Sequence, residues 1–253
     1  MTAIGIAFLV FACTFGGALV GMRLRSILPG HHLGADSKEL IHLCMGLIAT
    51  MTALILGLVT ASAKNAFDAQ DSAVKAAAAS LLTLDRMLSS YGPATKPVRE
   101  DMRQALTLAL DAMWPDGNRP VTQEVDSGRS AKVEQIERGI LDLAPQSDAQ
   151  RWLQSQALSL ASEVLRTRWA SFSGARSTVP VAFLVVIVFW LTVLFWSFGL
   201  FAPGNAMVIG VLLLSAVSVA ASVFLILEMQ TPFDGVMTIS DAPLRYALAH
   251  LGT

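Results

Sequence analysis

The sequence predicts an all-α membrane protein with four transmembrane helices and a helical extramembrane insert between the second and third. Only 15% of the 253 residues are charged and 54% are hydrophobic, whereas soluble proteins average about 25% charged residues. Four uncharged stretches are each long enough to cross a bilayer core of about 30 Å as a helix, which takes roughly 20 residues. The charged residues concentrate in the segment between the second and third stretches.

Charge and turn residues mark the ends of the four spans. Arg23 and Arg25 follow the first span, and no basic segment precedes it, so we expect a retained helix rather than a signal peptide. A turn at residues 202–205 joins the last two spans and predicts an antiparallel hairpin. The predicted spans are residues 3–22, 43–63, 179–202 and 206–227. The chain therefore divides into residues 1–63 with two spans, 64–178 with the insert, 179–228 with the hairpin, and a tail at 229–253.

Small residues recur on the first and fourth spans at a spacing that suits close helix packing. Gly17 and Gly21 form a G-x-x-x-G step, and Ser215, Ser218 and Ser222 share one helical face. Because lipid offers no hydrophobic drive between helices, such positions let two backbones approach. We interpret them as helix-packing positions rather than as parts of a transport path.

The insert is electrically neutral and helical. It holds 14 of the 18 basic and 14 of the 19 acidic residues. No Gly or Pro separates the second span from residues 64–89, so we expect that helix to continue out of the membrane as far as the Tyr91-Gly92-Pro93 sequence. Further helices are predicted at about 97–113, 130–143 and from 147 towards the third span. Their apolar stripes are narrow, which predicts burial against further copies of the chain and hence a homo-oligomer.

Composition and motifs exclude several functions. The net charge of −1 argues against a nucleic-acid partner. Cys13 and Cys44 lack metal-ligand or redox spacing. No catalytic motif is present, so we expect neither an enzyme nor a cofactor. No span contains an internal Asp, Glu, Lys, Arg or His, which argues against a proton-coupled carrier but leaves a passive pore open.

Two parts of the sequence carry a recognisable family pattern: one is the second span with its extension, and the other is the tail. The matching stretches are residues 46–50, 56–59 and 61–70, and then 230–235, 239–240 and 243–244. They resemble the bacterial bestrophin-like membrane proteins, a family defined by a domain of unknown function. The order of two spans, a helical insert and two spans agrees as well.

The resemblance implies a pentameric ion channel, because the family is named for its likeness to bestrophin anion channels. It implies that the second span lines the pore, that the pore has an apolar constriction, and that the insert is cytosolic. The bestrophin neck pattern and acidic calcium clasp are not recognisable, so anion selectivity and calcium gating are not implied. The alternative function is a non-conducting membrane scaffold or stress sensor whose insert binds a partner.

Helical spacing on the second span offers two candidate pore faces. The first would make an apolar throat with a threonine collar, which can gate by dewetting. Its residues are Ile48, Thr52, Ile55, Val59 and Ser62. A competing face carries Ala49, Ala53, Leu56, Thr60 and Ala63. A third interpretation is that both faces only pack against other helices.

Lys64, Asp68 and Asp71 are the candidate charged residues of the pore mouth. Lys64–Asp68 and Asp71–Lys75 are each four residues apart, so ordinary surface ion pairs are an equal interpretation. His31, His32 and His42 lie near the membrane, close to Asp36 and Glu39, but we predict hydrated side chains rather than a metal site or a pH sensor.

Orientation rests on conflicting charges. Arg23, Arg25 and Lys38 would place the first loop in the cytoplasm. The resemblance, together with the basic residues near the other span ends, would instead place the insert in the cytoplasm and the first loop outside. We predict a multi-pass protein of the plasma (inner) membrane with a cytoplasmic insert and cytoplasmic termini.

Overall fold

The computed structural model describes residues 2–27, 35–114, 132, 134–174 and 181–252, and none of these lies in a β-strand. The predicted all-α class is therefore confirmed. Four helices, α1, α2, α6 and α7, are long and apolar enough to cross a membrane, which makes the chain a multi-pass membrane protein. The helices are α1 (Ala3–Ile27), α2 (Ala35–Tyr91), α3 (Lys96–Met113), α4 (134–141), α5 (Asp148–Gly174), α6 (Val181–Phe201), α7 (Ala206–Glu228) and α8 (Ala242–His250).

The chain forms two compact units. The first comprises Met1–Phe67 and Ser177–Thr231, and the second comprises Asp68–Arg176 and Pro232–Thr253. The helix α2 contributes to both, because it runs unbroken over 57 residues. This confirms the prediction that the second span continues as one helix beyond its apolar part.

In the first unit, α1 packs against α6 and α7. A Cβ atom on Gly21 would lie 2.1 Å from the carbonyl oxygen of Trp196, and one on Gly199 would lie 2.0 Å from that of Ala18. These distances are far below van der Waals contact, so only glycine fits at either position. The predicted close-packing role of Gly17 and Gly21 is confirmed, and Gly199 on α6 is the matching position that the sequence analysis did not identify.

The serine face of α7 makes no close helix contact within the described part of the single chain. Ser215, Ser218 and Ser222 are all exposed, and each hydroxyl donates to a carbonyl oxygen four residues earlier on the same helix. Within one chain, therefore, these serines do not bring two backbones together. The buried face of α7 is formed instead by Leu212 and Ala216, which pack with α1 and α6.

In the second unit, α2 ends where the sequence predicts. Gly92 adopts a φ of 126°, a conformation that favours glycine, and Pro93 begins a short 3₁₀ turn. The buried Thr95 hydroxyl donates to the carbonyl oxygen of Leu88 at 2.6 Å and holds the turn against the end of α2. The chain then reverses into α3, whose buried side chains are Val98, Met102, Leu106 and Leu110.

A buried ion pair joins α2 to α3. Arg99 donates two hydrogen bonds to the Asp85 carboxylate, at 2.7 and 2.8 Å, and the two side chains are only 14% and 8% exposed. The hydrogen bonds from Arg99 to Asp85 raise the pKa of the guanidinium above its usual value, although burial opposes this. Arg99 thus stays charged across the ordinary pH range.

The C-terminal segment contains a helix that the sequence analysis did not predict. The helix α8 begins with proline in its first turn and buries Leu244 and Ala247, and the segment contacts α3. The Trp114 indole N–H donates to the carbonyl oxygen of Ile239 at 2.8 Å. The backbone N–H of Gly252 also lies 3.4 Å from the Asp85 carboxylate. Residues 232–252 are thereby fastened to the helices of the second unit.

Candidate pore helix

The helix α2 is the candidate functional element, and its own chain covers little of it. Only 11% of the most apolar stretch of α2 is buried, against 39% of the corresponding stretch of α6. Most side chains of this stretch are therefore exposed in the single chain, and its faces are compared by the size and polarity of those exposed side chains.

The predicted throat residues lie mostly on the side of α2 that the chain itself covers. Thr52 is only 3% exposed, and its hydroxyl donates to the carbonyl oxygen of Ile48 at 2.7 Å. Val59 packs against the buried cluster formed by Ala63 with two residues of the α7 end. Ile48 and Ile55 are half-buried, and Ser62 is exposed.

The competing face is divided between exposed and covered positions. Ala53 and Thr60 are exposed, whereas Leu56 packs against the cluster of Ala63, Ile226 and Met229. Ala49 is half-buried. Neither predicted set is therefore open along its whole length in a single chain.

A further line of positions on α2, which shares Ala53 and Thr60 with the competing face, is exposed throughout. Its residues follow steps of four and three, and none has a side chain larger than threonine: Gly46, Thr50, Ala53, Gly57 and Thr60. Apart from the adjoining backbone of α2 itself, no atom of the described residues lies within 4 Å of a Cβ built on either glycine. Both threonine hydroxyls donate to carbonyl oxygens of α2, at 2.8 and 2.7 Å. We call this set the small-residue face. Its spacing is visible in the sequence, although the sequence analysis recorded only part of it.

Large apolar side chains occupy the neighbouring exposed side of α2. Leu47, Leu54 and Leu58 are 59%, 74% and 71% exposed. Side chains of this kind suit contact with lipid or with apolar faces of neighbouring helices. The exposed part of α2 thus has a bulky side and a small-residue side.

The predicted mouth residues continue the small-residue face. Lys64 and Asp68 are exposed, and Lys64 lies four residues after Thr60. Asp71 is half-buried and accepts a hydrogen bond from Lys75 at 2.6 Å, so the predicted surface pair between these two residues is present. The Lys64 ammonium also lies 6.0 Å from the centre of the Phe67 ring.

Helix geometry separates these mouth residues from the predicted throat. Successive residues of an α-helix are about 100° apart, so the mouth residues Lys64 and Asp68 lie roughly 120–180° around the axis from Thr52 and Val59. A straight helix cannot turn both sets toward one pore axis. The mouth residues and the small-residue face, in contrast, share one side.

The structure describes only part of the region around the membrane-proximal histidines. His31 and His32 lie outside the described residues, as does the side chain of Asp36. The His42 ring is 5.4 Å from the ring of Phe201, and Glu39 is exposed. Within the parts of the chain that the structure describes, no three His, Cys, Asp or Glu residues are grouped so that they could hold a metal ion.

Comparisons with known proteins place the chain in a family. The model of the bestrophin-like domain matches residues 9–244. A solved crystal structure of a membrane protein variant has the same fold with a TM-score of 0.65 and 14% sequence identity, and the match covers 97% of both chains. No curated protein matches the chain. Because the family model spans nearly the whole sequence, this multi-pass membrane protein belongs to the bestrophin-like family.

Proposed function

We propose that the protein is a homo-oligomeric ion channel in which α2 of each copy surrounds the pore and turns its small-residue face toward the axis. One observation carries this assignment: a continuous exposed side of α2 leads from Gly46 through Thr50 and Thr60 to the charged residues Lys64 and Asp68. Membership of the bestrophin-like family supports it. Five copies, the number that the likeness to bestrophins implies, are part of the proposal.

The chemistry of the small-residue face suits a water-filled path. Glycine and alanine leave width between neighbouring copies, and the threonine oxygens can accept hydrogen bonds from water while their protons stay bonded to the helix. Rings of Lys64 and Asp68 beyond the span would influence which ions enter. The leucines on the adjacent side would face lipid or the next copy.

Thiol modification of three positions distinguishes the faces of α2. We expect a positively charged methanethiosulfonate reagent to block most of the current of Thr60→Cys, because that side chain faces the pore, and to leave Leu58→Cys unaffected. All variants carry Cys13→Ala and Cys44→Ala, so that only the introduced thiol reacts, and currents are recorded in planar bilayers with purified protein.

Thr52→Cys is the matched variant for the predicted throat. Block at Thr52→Cys without block at Thr60→Cys would overturn the small-residue face and favour the apolar throat of Ile48, Ile55 and Val59. Absence of current from intact oligomers at varied pH, voltage and ion composition would overturn conduction altogether and favour the membrane scaffold.

The proposed location is the plasma membrane, with the insert in the cytoplasm. A cysteine at the exposed position Ser89 on the insert part of α2 tests this orientation. In intact cells, a membrane-impermeant thiol reagent should not label it, whereas opening the cells should allow labelling. Labelling in intact cells would reverse the orientation without affecting the pore assignment.

A further inference from the structure

We propose that the loop at residues 232–239 rests its tip, Val236 and Met237, in the headgroup layer of the membrane that holds the four spans. The partner is a lipid surface rather than another protein. The inference is independent of ion conduction, since it concerns how the C-terminal segment meets the bilayer.

The loop is a built structure with a closed base. The backbone N–H of Ile239 donates to the carbonyl oxygen of Pro232 at 2.7 Å. Gly235 reverses the chain with a φ of 109°, which favours glycine. At the base, Trp114 donates to Ile239 at 2.8 Å, and its ring meets the Phe233 ring edge-on at 5.2 Å. These contacts fix the base of the loop, so the position of the tip relative to α3 is defined.

The tip presents apolar side chains to its surroundings. Val236 is 76% exposed and Met237 is 36% exposed. Two adjacent apolar side chains on a tight loop gain free energy when they leave water, and an interfacial layer offers that gain without requiring a complementary protein surface. Trp114 at the base is a residue type enriched at membrane interfaces.

Chain length limits how far the tip can lie from the membrane surface. The helix α7 has 23 residues, or about 34 Å of helix, which is enough to cross the hydrocarbon core. It ends at Glu228, and Pro232 follows only four residues later. Because the loop closes on itself, Val236 is within about 27 Å of the span end even for extended chain.

The charge beside the tip sets its depth. Asp234 is exposed and lies two residues before Val236. A carboxylate is costly to move into hydrocarbon, so the loop should stop among the headgroups and leave Asp234 in water. The expected depth is therefore shallow.

Depth-dependent fluorescence quenching tests the proposal. Val236→Cys is labelled with bimane in the full-length protein that lacks Cys13 and Cys44, and the protein is placed in lipid nanodiscs. The control is Ser89→Cys, an exposed α2 position 26 residues beyond Ala63, or about 39 Å farther along the helix. Lipids spin-labelled at the headgroup should quench the Val236 probe at least threefold more than the control.

Three other outcomes would overturn the proposal. Equal quenching of both probes by aqueous iodide, with none by lipid labels, would place the tip in water. Protection from iodide and from lipid labels would place it against protein, such as a second copy. Stronger quenching by a label deep in the acyl chain would contradict the shallow depth. Met237→Cys repeats the measurement if Val236→Cys does not elute as an intact oligomer.

Discussion

Glycine has opposite surroundings in two helices of the same unit. On α1, Gly21 touches the backbone of α6 so closely that no side chain fits, and Gly199 does the same from the other side. On α2, Gly46 and Gly57 have no neighbouring atom within 4 Å of a built Cβ. The first arrangement stabilises a single chain, and the second leaves a face of that chain open.

This contrast shows why a glycine pattern alone does not assign a role in a membrane helix. Small residues permit close approach wherever a partner exists, and the partner can be the same chain, another copy or water. Only the structure shows that α1 has found its partner within the chain and that the small-residue face of α2 has not. The contacts of α1 and α6 thus serve the packing of the single chain, whereas the exposed side of α2 is the one we propose to face the pore.

The largest expected effect comes from adding one methyl group where α1 meets α6. In Gly21→Ala the new Cβ would lie 2.1 Å from the Trp196 carbonyl oxygen. Because backbone must move, we expect a loss of about 3 kcal/mol of stability, at the upper end for overpacking. Thermal unfolding of the purified protein measures it.

Gly57→Ala is the matched control, since the same change occurs in open space. We expect its stability to stay within about 1 kcal/mol of wild type, with alanine favouring the helix. Equal loss in both variants would remove the distinction between the two helices. A reduced current in Gly57→Ala at unchanged stability would strengthen the assignment of the small-residue face.

The next effect concerns charge rather than volume. Asp85→Ala would remove the carboxylate that accepts two hydrogen bonds from Arg99. Breaking a fully buried ion pair costs about 3–5 kcal/mol in other proteins, and because Arg99 is 14% exposed we expect a loss of about 2–3 kcal/mol. The exposed pair Arg138–Glu134 has side chains 74% and 66% exposed, and its loss should cost at most about 0.5 kcal/mol. Denaturant unfolding of Asp85→Ala and Glu134→Ala compares them, and similar losses would contradict the importance of burial.

The pH dependence of the buried pair follows from the raised pKa of Arg99. A basic group whose pKa is raised on folding stabilises the protein fully below its unfolded-state pKa, and this contribution falls only as pH rises above that value. We therefore expect the Arg99 contribution to stay constant between about pH 6 and pH 9, since an arginine titrates only at far higher pH. A steep loss of the Asp85→Ala effect within that range would contradict this.

The sequence was sufficient for the ends of α1 and α2 because charge and breaker residues mark them. Arg25 falls in the last turn of α1, and Gly92-Pro93 ends α2. It was insufficient for the orientation of α2, because apolar residues surround a transmembrane helix on all sides and hydrophobic periodicity loses its meaning there. In the single chain Leu47, Leu54 and Leu58 are exposed, whereas Thr52 is buried. Hydrophobicity alone would bury the leucines and expose the threonine.

The C-terminal helix shows a different limit. Leu244, Ala247 and Leu251 are buried at steps of three and four, a helical signal after Pro243. With nine residues, α8 is too short to be stable in isolation, so its formation depends on contact with α3. Sequence reasoning detects the pattern in such a segment but cannot supply the surface on which it folds.

A smaller effect is expected where one hydrogen bond fastens the C-terminal segment. Trp114→Phe keeps an aromatic ring beside Phe233 but removes the N–H that donates to Ile239. One net hydrogen bond corresponds to about 1 kcal/mol. Hydrogen exchange of the amides in residues 239–251 should speed up severalfold, while exchange in α1 should remain unchanged. Unchanged exchange in both segments would show that the bond does not hold the C-terminal segment.

The smallest effect is expected on the exposed serine face of α7. The Ser218 hydroxyl donates to the carbonyl oxygen of Leu214 at 2.9 Å, so its proton is already bonded within the helix. Ser218→Ala should change stability by at most about 0.5 kcal/mol, because the backbone carbonyl keeps its helical hydrogen bond and no partner side chain is lost. Ser218→Leu should also leave the oligomer intact on size-exclusion chromatography, since this face then meets only lipid. Dissociation of Ser218→Leu would instead assign the serine face to a contact between copies, and α7 would then share with α2 the role of holding the assembly together.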